Sequence, residues 1–253
     1  MTIAQILNAE KSDENTLVFA RVAEFLLKDS PEATLLCADI LSNFEQYDLA
    51  VQAYAKIPVN SALFHTAEIG RAEALSHAGN REEAINVLRN LTQVRPNSVV
   101  AFQELGNELR YFERHQEAAQ AYTRALAISE DQKMENWLLH YSRGMSFERL
   151  DEWENAEADF RAALELQPNQ PYVLNYLGYS LVEKKMKLDE ALDMIKQAVS
   201  LRSESGYIVD SYGWVLFRLK RYDEAVLQLE RTAELMPIDP IINDHYADVF
   251  ATL

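Results

Sequence analysis

Small and apolar residues recur along this chain at spacings of three and four, the spacings that place side chains on one face of an α-helix. The clearest stretch runs from Trp137 to Pro168 and has the pattern of two amphipathic helices joined by a short turn. Its marked positions are separated by 3, 9, 4, 3 and 5 residues, and they are Gly144, Phe147, Ala156, Phe160, Ala163 and Pro168. The same intervals return after Gly206 in Gly213, Leu216, Ala225, Leu229, Thr232 and Pro237. The pattern predicts a tandem repeat of helical hairpins.

Six such units are expected, and they start near residues 31, 65, 99, 137, 171 and 206. The first three starts lie 34 residues apart, whereas the fourth is displaced by four residues, which we place between Ser129 and Glu135. We expect a divergent helical unit over residues 1–30, six tandem repeats over residues 31–239, and a further first helix or capping helix over residues 240–253. Only seven Gly and seven Pro leave little room for the turns of a β fold, so the chain is predicted to be all-α.

Two positions of each unit are occupied by small residues. Position eight, counted from the unit start, is Gly in four units and Ala in the others. Position 20 is Ala in all six once one extra residue in the turn between Lys184 and Leu188 is allowed for. We expect these residues to let the two helices of a hairpin approach closely, while a large residue at position 24 fills the gap between units. Leu in place of Gly178 or Gly213 is expected to cost ~1–3 kcal/mol by overpacking. In the first repeat, Ala50, Tyr54 and Ile57 fall on the packed face of the second helix.

These positions resemble the tetratricopeptide repeat family, whose pattern is Trp-x2-Leu-Gly-x2-Tyr followed by Ala-x3-Phe, Ala and Pro. The resemblance covers about residues 31–250. It implies a right-handed α-solenoid of tandem hairpins, with an inner groove lined by the first helix of each unit. The chain departs from the family pattern at His140, where position four is not aromatic, and at Arg71 and Arg143, where position seven is charged. Residues 174–250 also look like the long bacterial members of this family, many of which are envelope-associated.

Composition argues against nucleic acid as a partner. The formal net charge is −16, and no stripe of Lys and Arg overcomes the repulsion between this charge and phosphate groups. No apolar run approaches the ~20 residues of a membrane-spanning helix, so we predict no membrane insertion. The expected location is the cytoplasm by default, and the periplasm or envelope if a targeting segment has been removed.

No arrangement of reactive residues indicates catalysis. None of the five histidines pairs with another at the spacing of a zinc-binding helix motif. Cys37 is the single cysteine, and because it lies at a packing position we expect a buried, small hydrophobic residue. Phosphate-binding loops, dinucleotide-binding glycine patterns and nucleophile elbows are absent from the sequence. We predict a non-catalytic chain without a metal and without a cofactor.

The inner groove of this family is formed mainly by positions 2, 5, 6, 9, 12 and 13 of each first helix. In the last units of this chain the candidate partner-binding residues at these positions are Tyr141, Tyr172, Asn175, Tyr176, Tyr179, Tyr207, Asp210, Trp214, Asp244 and His245. Aromatic side chains with polar tips suit binding surfaces, because they bring contact area and a hydrogen bond with few rotatable bonds. A tyrosine stripe at helical spacing is also typical of packing between repeats, so both interpretations stay open. The same positions of earlier units, such as Glu73 and Glu104, are more acidic.

We therefore predict a non-catalytic protein–protein interaction scaffold that binds a peptide or helix of a partner protein in its concave groove. The alternative is a non-catalytic repeat segment of a larger bacterial envelope-assembly or enzyme-accessory protein. The family's carboxylate clamp for acidic chaperone tails is incomplete, since Asn107 matches it but Gln103 replaces its Lys. Val249, Phe250 and Leu253 form an apolar face with no following helix, which predicts a truncated array and self-association through the C-terminal end.

Overall fold

The computed structural model describes residues 14–27 and 30–251, and α-helices are the only regular secondary structure in these ranges. They are α1 (Glu14–Leu26), α2 (Pro31–Asn43), α3 (Tyr47–Tyr54), α4 (Phe64–His77), α5 (Arg81–Val94), α6 (Val99–Tyr111), α7 (His115–Asp131), α8 (Trp137–Arg149), α9 (Trp153–Leu166), α10 (Pro171–Glu183), α11 (Leu188–Leu201), α12 (Gly206–Arg218), α13 (Tyr222–Leu235) and α14 (Pro240–Phe250). The predicted all-α fold class is confirmed. Residues 1–13 of the predicted leading unit, and Leu253 of the predicted apolar end, lie outside the described residues.

The helices form two compact units, which divide between Met134 and Glu135. In the first unit, α1 packs on α2, and α2–α3, α4–α5 and α6–α7 pack as hairpins. In the second unit the hairpins are α8–α9, α10–α11 and α12–α13, followed by α14. First helices of neighbouring hairpins also touch, since α4 contacts α2 and α6, and α12 contacts α10 and α14. Within each unit, side chains on neighbouring first helices therefore share one face.

Capping side chains and proline fix the starts of several first helices. The Ser30 hydroxyl accepts a hydrogen bond from the backbone N–H of Ala33, and Pro31 is the first residue of α2. Asp239 caps α14 in the same way, one residue before Pro240. A capping oxygen satisfies an N–H that the first turn leaves open, and proline suits this turn because it has no N–H to satisfy. These local signals are why the helix starts are readable in the sequence.

Every hairpin turn uses the same hydrogen-bonding motif. The residue after the C-cap of the first helix is left-handed, with φ between 57° and 83°, at Glu45, Gly79, Glu113, Asp151, Lys185 and Lys220. After α6, the Glu113 N–H donates to the Arg110 carbonyl and the Arg114 N–H donates to the Leu109 carbonyl. These two bonds satisfy carbonyls that the end of the helix leaves open. The resulting tight turn returns the second helix along the first.

The four-residue displacement predicted between Ser129 and Glu135 lies at the end of α7. This helix has 17 residues, whereas α5, α9, α11 and α13 each have 14. Three of the four inserted residues lengthen α7, and the fourth lengthens the loop that follows it, residues 132–136. Lys133 there has a left-handed φ of 54°, so the motif of the hairpin turns also ends α7. The break in the repeat period thus coincides with the division between the two compact units.

The second helix of the first hairpin is shorter than the sequence predicts. α3 ends at Tyr54, so Ile57 lies beyond the helix on which it was expected, although Ile57 is still buried. Pro58 accounts for the early end, because in a longer helix its ring would clash with the Tyr54 carbonyl and it has no N–H to donate to that carbonyl. The longer loop that follows leads to α4, which begins at Phe64, one residue before the expected start.

The small residues at position eight lie against the large residues of the same hairpin. A β-carbon added to Gly144 would lie 2.7 Å from Cε1 of Phe160, and one added to Gly213 would lie 2.7 Å from Cγ of Leu229. Phe160 also contacts Tyr176 of the next hairpin, with 5.3 Å between ring centroids. Phe160 thus fills the space between hairpins, as predicted, and also sets the close approach of α8 and α9.

The charged residues that depart from the family pattern are paired. Arg143 donates to both carboxylate oxygens of Asp159 at 2.7 Å, and His140 Nδ1 lies 2.9 Å from one of them. Burial raises the pKa of Asp159, but the hydrogen bonds from Arg143 and His140 outweigh it and lower the pKa below its ordinary value. Arg71 forms a similar ion pair with Glu68, at 2.9 Å. Each departure is therefore accommodated by a carboxylate nearby.

Candidate functional site

All ten candidate groove residues lie on the first helices α8, α10, α12 and α14 of the second unit. The structure divides them by exposure. Tyr172 and Tyr207 are 48% and 63% exposed, and Asp244 is also exposed. The other seven are buried or half-buried, and most of them contact other helices. The ten residues therefore do not form one continuous exposed surface.

Tyr141 and Tyr176 belong to an aromatic cluster between α8, α9 and α10. Their rings meet edge to face with 5.9 Å between centroids, and both contact Phe160. Trp137 lies at the edge of this cluster, 6.3 Å from Tyr141. The Tyr176 hydroxyl donates to Glu148 at 3.3 Å, and burial raises the Tyr176 pKa to about 12. For these two tyrosines the structure favours the packing interpretation, because they join consecutive hairpins.

Trp214 connects three first helices. Its Nε1 donates to Glu183 of α10 at 2.9 Å, and Arg218 binds the same carboxylate at 2.9 and 3.0 Å. The imidazole of His245 on α14 stacks on the Trp214 ring at a centroid distance of 4.2 Å and an angle of 18°. With its N–H and one ring face occupied, Trp214 fixes the relative positions of α10, α12 and α14.

His245 is also held by a carboxylate of α12. Its Nδ1 lies 2.9 Å from Oδ2 of Asp210. The hydrogen bond to Asp210 raises the pKa of His245 against the opposing effect of burial, and the charges of Asp210, Asp248 and Asp244 raise it further. In this contact the Nδ1–H of His245 donates to the carboxylate of Asp210.

Two buried oxygens at equivalent positions accept no hydrogen bond from the described residues. They are Oδ1 of Asn175 and Oδ1 of Asp210, on the fifth residues of α10 and α12. Tyr179 is half-buried on the same face, and its pKa is raised by burial and then by the negative charges of Glu183 and Asp210. Sequence spacing placed these residues on one face, but it gave no sign that their acceptors would lack donors.

The two exposed tyrosines, Tyr172 and Tyr207, lie in the first turns of their helices. Tyr172 and Tyr207 are the second residues of α10 and α12, so they occupy equivalent positions on two helices that contact each other. Tyr172 borders a depression formed with the loop at residues 202–205. Their large exposed rings make them the groove residues most available to another molecule.

The first unit has an acidic depression that the sequence interpretation described only in part. Its volume is about 240 Å³, and it is lined by Ile69, Ala72, Glu73, Leu88, Glu104 and Glu108. Oε1 of Glu108 is buried without a hydrogen bond from the described residues, and burial raises the Glu108 pKa, with Glu73 and Glu104 adding to the effect. The signal that would have identified Glu108 is its spacing of four from Glu104, which places both on one helix face.

Residues suited to metal binding do not converge in the described part of the chain. No group of three His, Cys, Asp or Glu side chains there is placed to hold a metal ion. Cys37 is fully buried, as predicted, and burial raises its pKa to about 11, which keeps the thiol protonated. Among helices within residues 14–251, none has the length and apolar character needed to cross a membrane.

A sequence model of the tetratricopeptide repeat family matches residues 104–171 and 141–203. The TPR repeat-containing protein PA4667 of Pseudomonas aeruginosa is 27% identical over 197 residues, which are 76% of this chain and 32% of that protein. The lipoprotein NlpI homolog of Haemophilus influenzae is 33% identical over 101 residues, which are 40% of this chain and 32% of that protein. The chain thus spans about a third of the length of these relatives.

A solved structure supports the same fold. A tetratricopeptide repeat protein of Parabacteroides merdae has a TM-score of 0.71 to this chain, covering 98% of this chain and 96% of that one. The sequence identity is 12%, so this likeness concerns the fold alone.

Proposed function

Because the chain belongs to the tetratricopeptide repeat family, we propose that it is a non-catalytic scaffold that binds an extended segment of a partner protein. The segment lies along the first helices α10, α12 and α14 of the second unit. The observation that carries the proposal is the pair of exposed tyrosines, Tyr172 and Tyr207, at equivalent positions of neighbouring first helices.

The surroundings of these tyrosines support binding on the same face. A large exposed aromatic ring gives contact area with little side-chain entropy to lose, so two aligned rings are suited to holding a peptide. The Trp214–Glu183–Arg218 contacts hold α10 and α12 together. A surface whose helices are already fixed loses little conformational freedom on binding, which favours affinity.

A second candidate function is that the chain forms the repeat segment of a larger bacterial envelope-assembly or enzyme-accessory protein. The specific observation in its favour is that the two reported relatives are about three times as long as the part they share with this chain. One of them is named a lipoprotein, which fits an envelope location. Under this alternative the same helices bind a partner, and the other regions of the larger protein determine where binding occurs.

The test compares binding by the native chain with binding by Tyr172→Ala/Tyr207→Ala. Both rings are exposed, so their removal is expected to change partner recovery without changing the thermal midpoint of unfolding. Affinity capture from a lysate of the source organism, read by quantitative mass spectrometry, measures the recovery. Leu227→Ala is the matched control, because Leu227 is 62% exposed but lies on the second helix α13.

The expected result is a set of proteins retained by the native chain and by Leu227→Ala and lost by the double tyrosine variant. Equal recovery by all three proteins would show that the partner does not use this face. Tyr176 and Trp214 are less suitable targets, because their removal also takes away contacts between hairpins.

A further inference from the structure

We infer that the partner segment places the positively charged side chain of an arginine or lysine against Asn175 and Asp210. This inference rests on the proposed function and names the chemistry of the segment. It starts from Asn175 Oδ1 and Asp210 Oδ1, which are buried and accept no hydrogen bond from any described residue. The Asp210 residue is only 7% exposed. Its helix, α12, contacts α10, which carries Asn175.

A buried acceptor without a donor is costly, because it has lost its water and gained no other hydrogen bond. The cost is greater for Asp210, since its carboxylate is charged. His245 satisfies only one of the two carboxylate oxygens, Oδ2, at 2.9 Å. A donor group brought by the partner can satisfy the remaining Asp210 oxygen, and the Asn175 acceptor lies at the equivalent position of the neighbouring helix.

The donor has to serve two oxygens at equivalent positions of neighbouring helices. A guanidinium group offers five N–H donors in one plane, and an ammonium group offers three. Neither accepts a hydrogen bond, so neither competes with the acceptors that it meets. Hydrogen bonds from a charged donor to a carboxylate are about twice as strong as those between neutral groups.

The charges near the site favour a cation. Arg218 already binds Glu183, and the imidazole of His245 already contacts one oxygen of Asp210. Asp244 and Asp248 of α14 add negative charge that acts on His245. The ring of Tyr179, half-buried on the same face, offers an aromatic surface to the carbon chain or to the charged head of the ligand. The net charge of −16 attracts a basic segment from a distance.

The experiment uses the full chain labelled with nitrogen-15 and three acetylated, amidated tripeptides at millimolar concentration and low salt. The peptides are Ala-Arg-Ala, Ala-citrulline-Ala and Ala-Glu-Ala. Citrulline has the shape of arginine without its charge, so it isolates the contribution of the charge. NMR chemical shifts of the α10 and α12 backbone amides, and of the Trp214 indole N–H, report binding. We expect shifts with the arginine peptide, about tenfold weaker binding with citrulline, and no binding with glutamate.

Two variants test whether Asp210 and Asn175 bind the charged side chain of the peptide. Asp210→Asn keeps the side-chain shape and removes the charge, so it is expected to abolish the preference for arginine over citrulline. Asn175→Asp adds a second carboxylate, so it is expected to strengthen arginine binding and leave citrulline binding unchanged, a gain that misfolding cannot imitate. Glu230→Gln is the control, because Glu230 is exposed on the second helix α13 and not on the first-helix face, and it is expected to retain the preference.

The inference and the proposed function fail in different ways. Equal binding of the arginine and citrulline peptides would overturn the inference, because neutral N–H groups would then satisfy the two acceptors. Absence of shifts in α10 and α12 with every peptide would also overturn it. In either case the proposed function still stands if partner capture depends on Tyr172 and Tyr207, and it falls only if capture is indifferent to them.

Discussion

At the residue scale, a small residue on the first helix and a large residue on the second helix share the space between the two helices of a hairpin. Gly144 leaves space that the Phe160 ring fills, with Cε1 only 2.7 Å from where a β-carbon would lie. The hairpin of α4 and α5 has another combination at the same repeat positions, with Ala72 and Leu88, and both are buried. The chain itself thus contains both a Gly facing an aromatic ring and an Ala facing a Leu, besides Gly213, which faces Leu229.

Gly144→Ala is expected to destabilise the chain by ~1–3 kcal/mol through overpacking, less a gain of up to ~1 kcal/mol in helix propensity. Phe160→Leu alone is destabilising as well, because it loses part of a fully buried ring. The double variant reproduces the combination of Ala72 and Leu88, so it is expected to be more stable than the sum of the two single changes predicts. Urea denaturation of the four proteins measures this coupling, and strictly additive losses would contradict the packing argument.

At the element scale, helix starts were predictable because local residues determine them, whereas some helix ends were not. Ser30 and Pro31 mark the start of α2 without help from the rest of the chain. The repeat spacing predicts a longer α3, because the spacing of packed positions takes no account of Pro58, which ends the helix early. Sequence spacing also places Trp214 on the same helix face as Asp210, four residues earlier. It could not show that the Trp214 indole N–H donates to Glu183, 31 residues away, or that His245 of the next helix stacks on the Trp214 ring.

A non-glycine residue with a left-handed backbone lowers the stability of a hairpin turn, and a single substitution can remove this loss. Glu113 follows the C-cap of α6 with a φ of 61°, a conformation that costs a non-glycine residue ~1 kcal/mol or more. Glycine adopts it freely, as Gly79 does at the same position of an earlier hairpin. After allowance for the greater freedom of glycine in the unfolded chain, Glu113→Gly is expected to stabilise the chain by ~0.5 kcal/mol.

Chemical denaturation of the wild type, Glu113→Gly and Glu113→Ala tests this expectation. The alanine variant removes the same charge but keeps the β-carbon, so it is expected to show no gain. If both variants gain equally, the stabilisation arises from the lost charge, and the backbone argument is wrong.

At the scale of the whole molecule, stability is expected to be a sum over hairpins and over the contacts between neighbours. Ion pairs reinforce these contacts at a repeated position in both units. Arg89 on α5 binds Glu117 of the next hairpin, and Arg161 on α9 binds Glu190 of the next hairpin. These pairs are partly exposed, so each adds little. Buried side chains such as Phe160, which touches two hairpins, are expected to carry most of the coupling.

This coupling predicts how damage spreads within the second unit. Gly213→Leu forces a side chain against Leu229 in the hairpin of α12 and α13, at an expected cost of ~1–3 kcal/mol. Because α12 contacts α10 and α14, hydrogen exchange is expected to accelerate most in α12 to α14, less in α10 and α11, and least in α8 and α9. Glu230→Leu is the control, since Glu230 is exposed on α13, and it is expected to leave the exchange pattern unchanged. A uniform acceleration from residue 137 to residue 250 would instead mean that this unit unfolds in one step, and nearest-neighbour coupling would then be the wrong description of it.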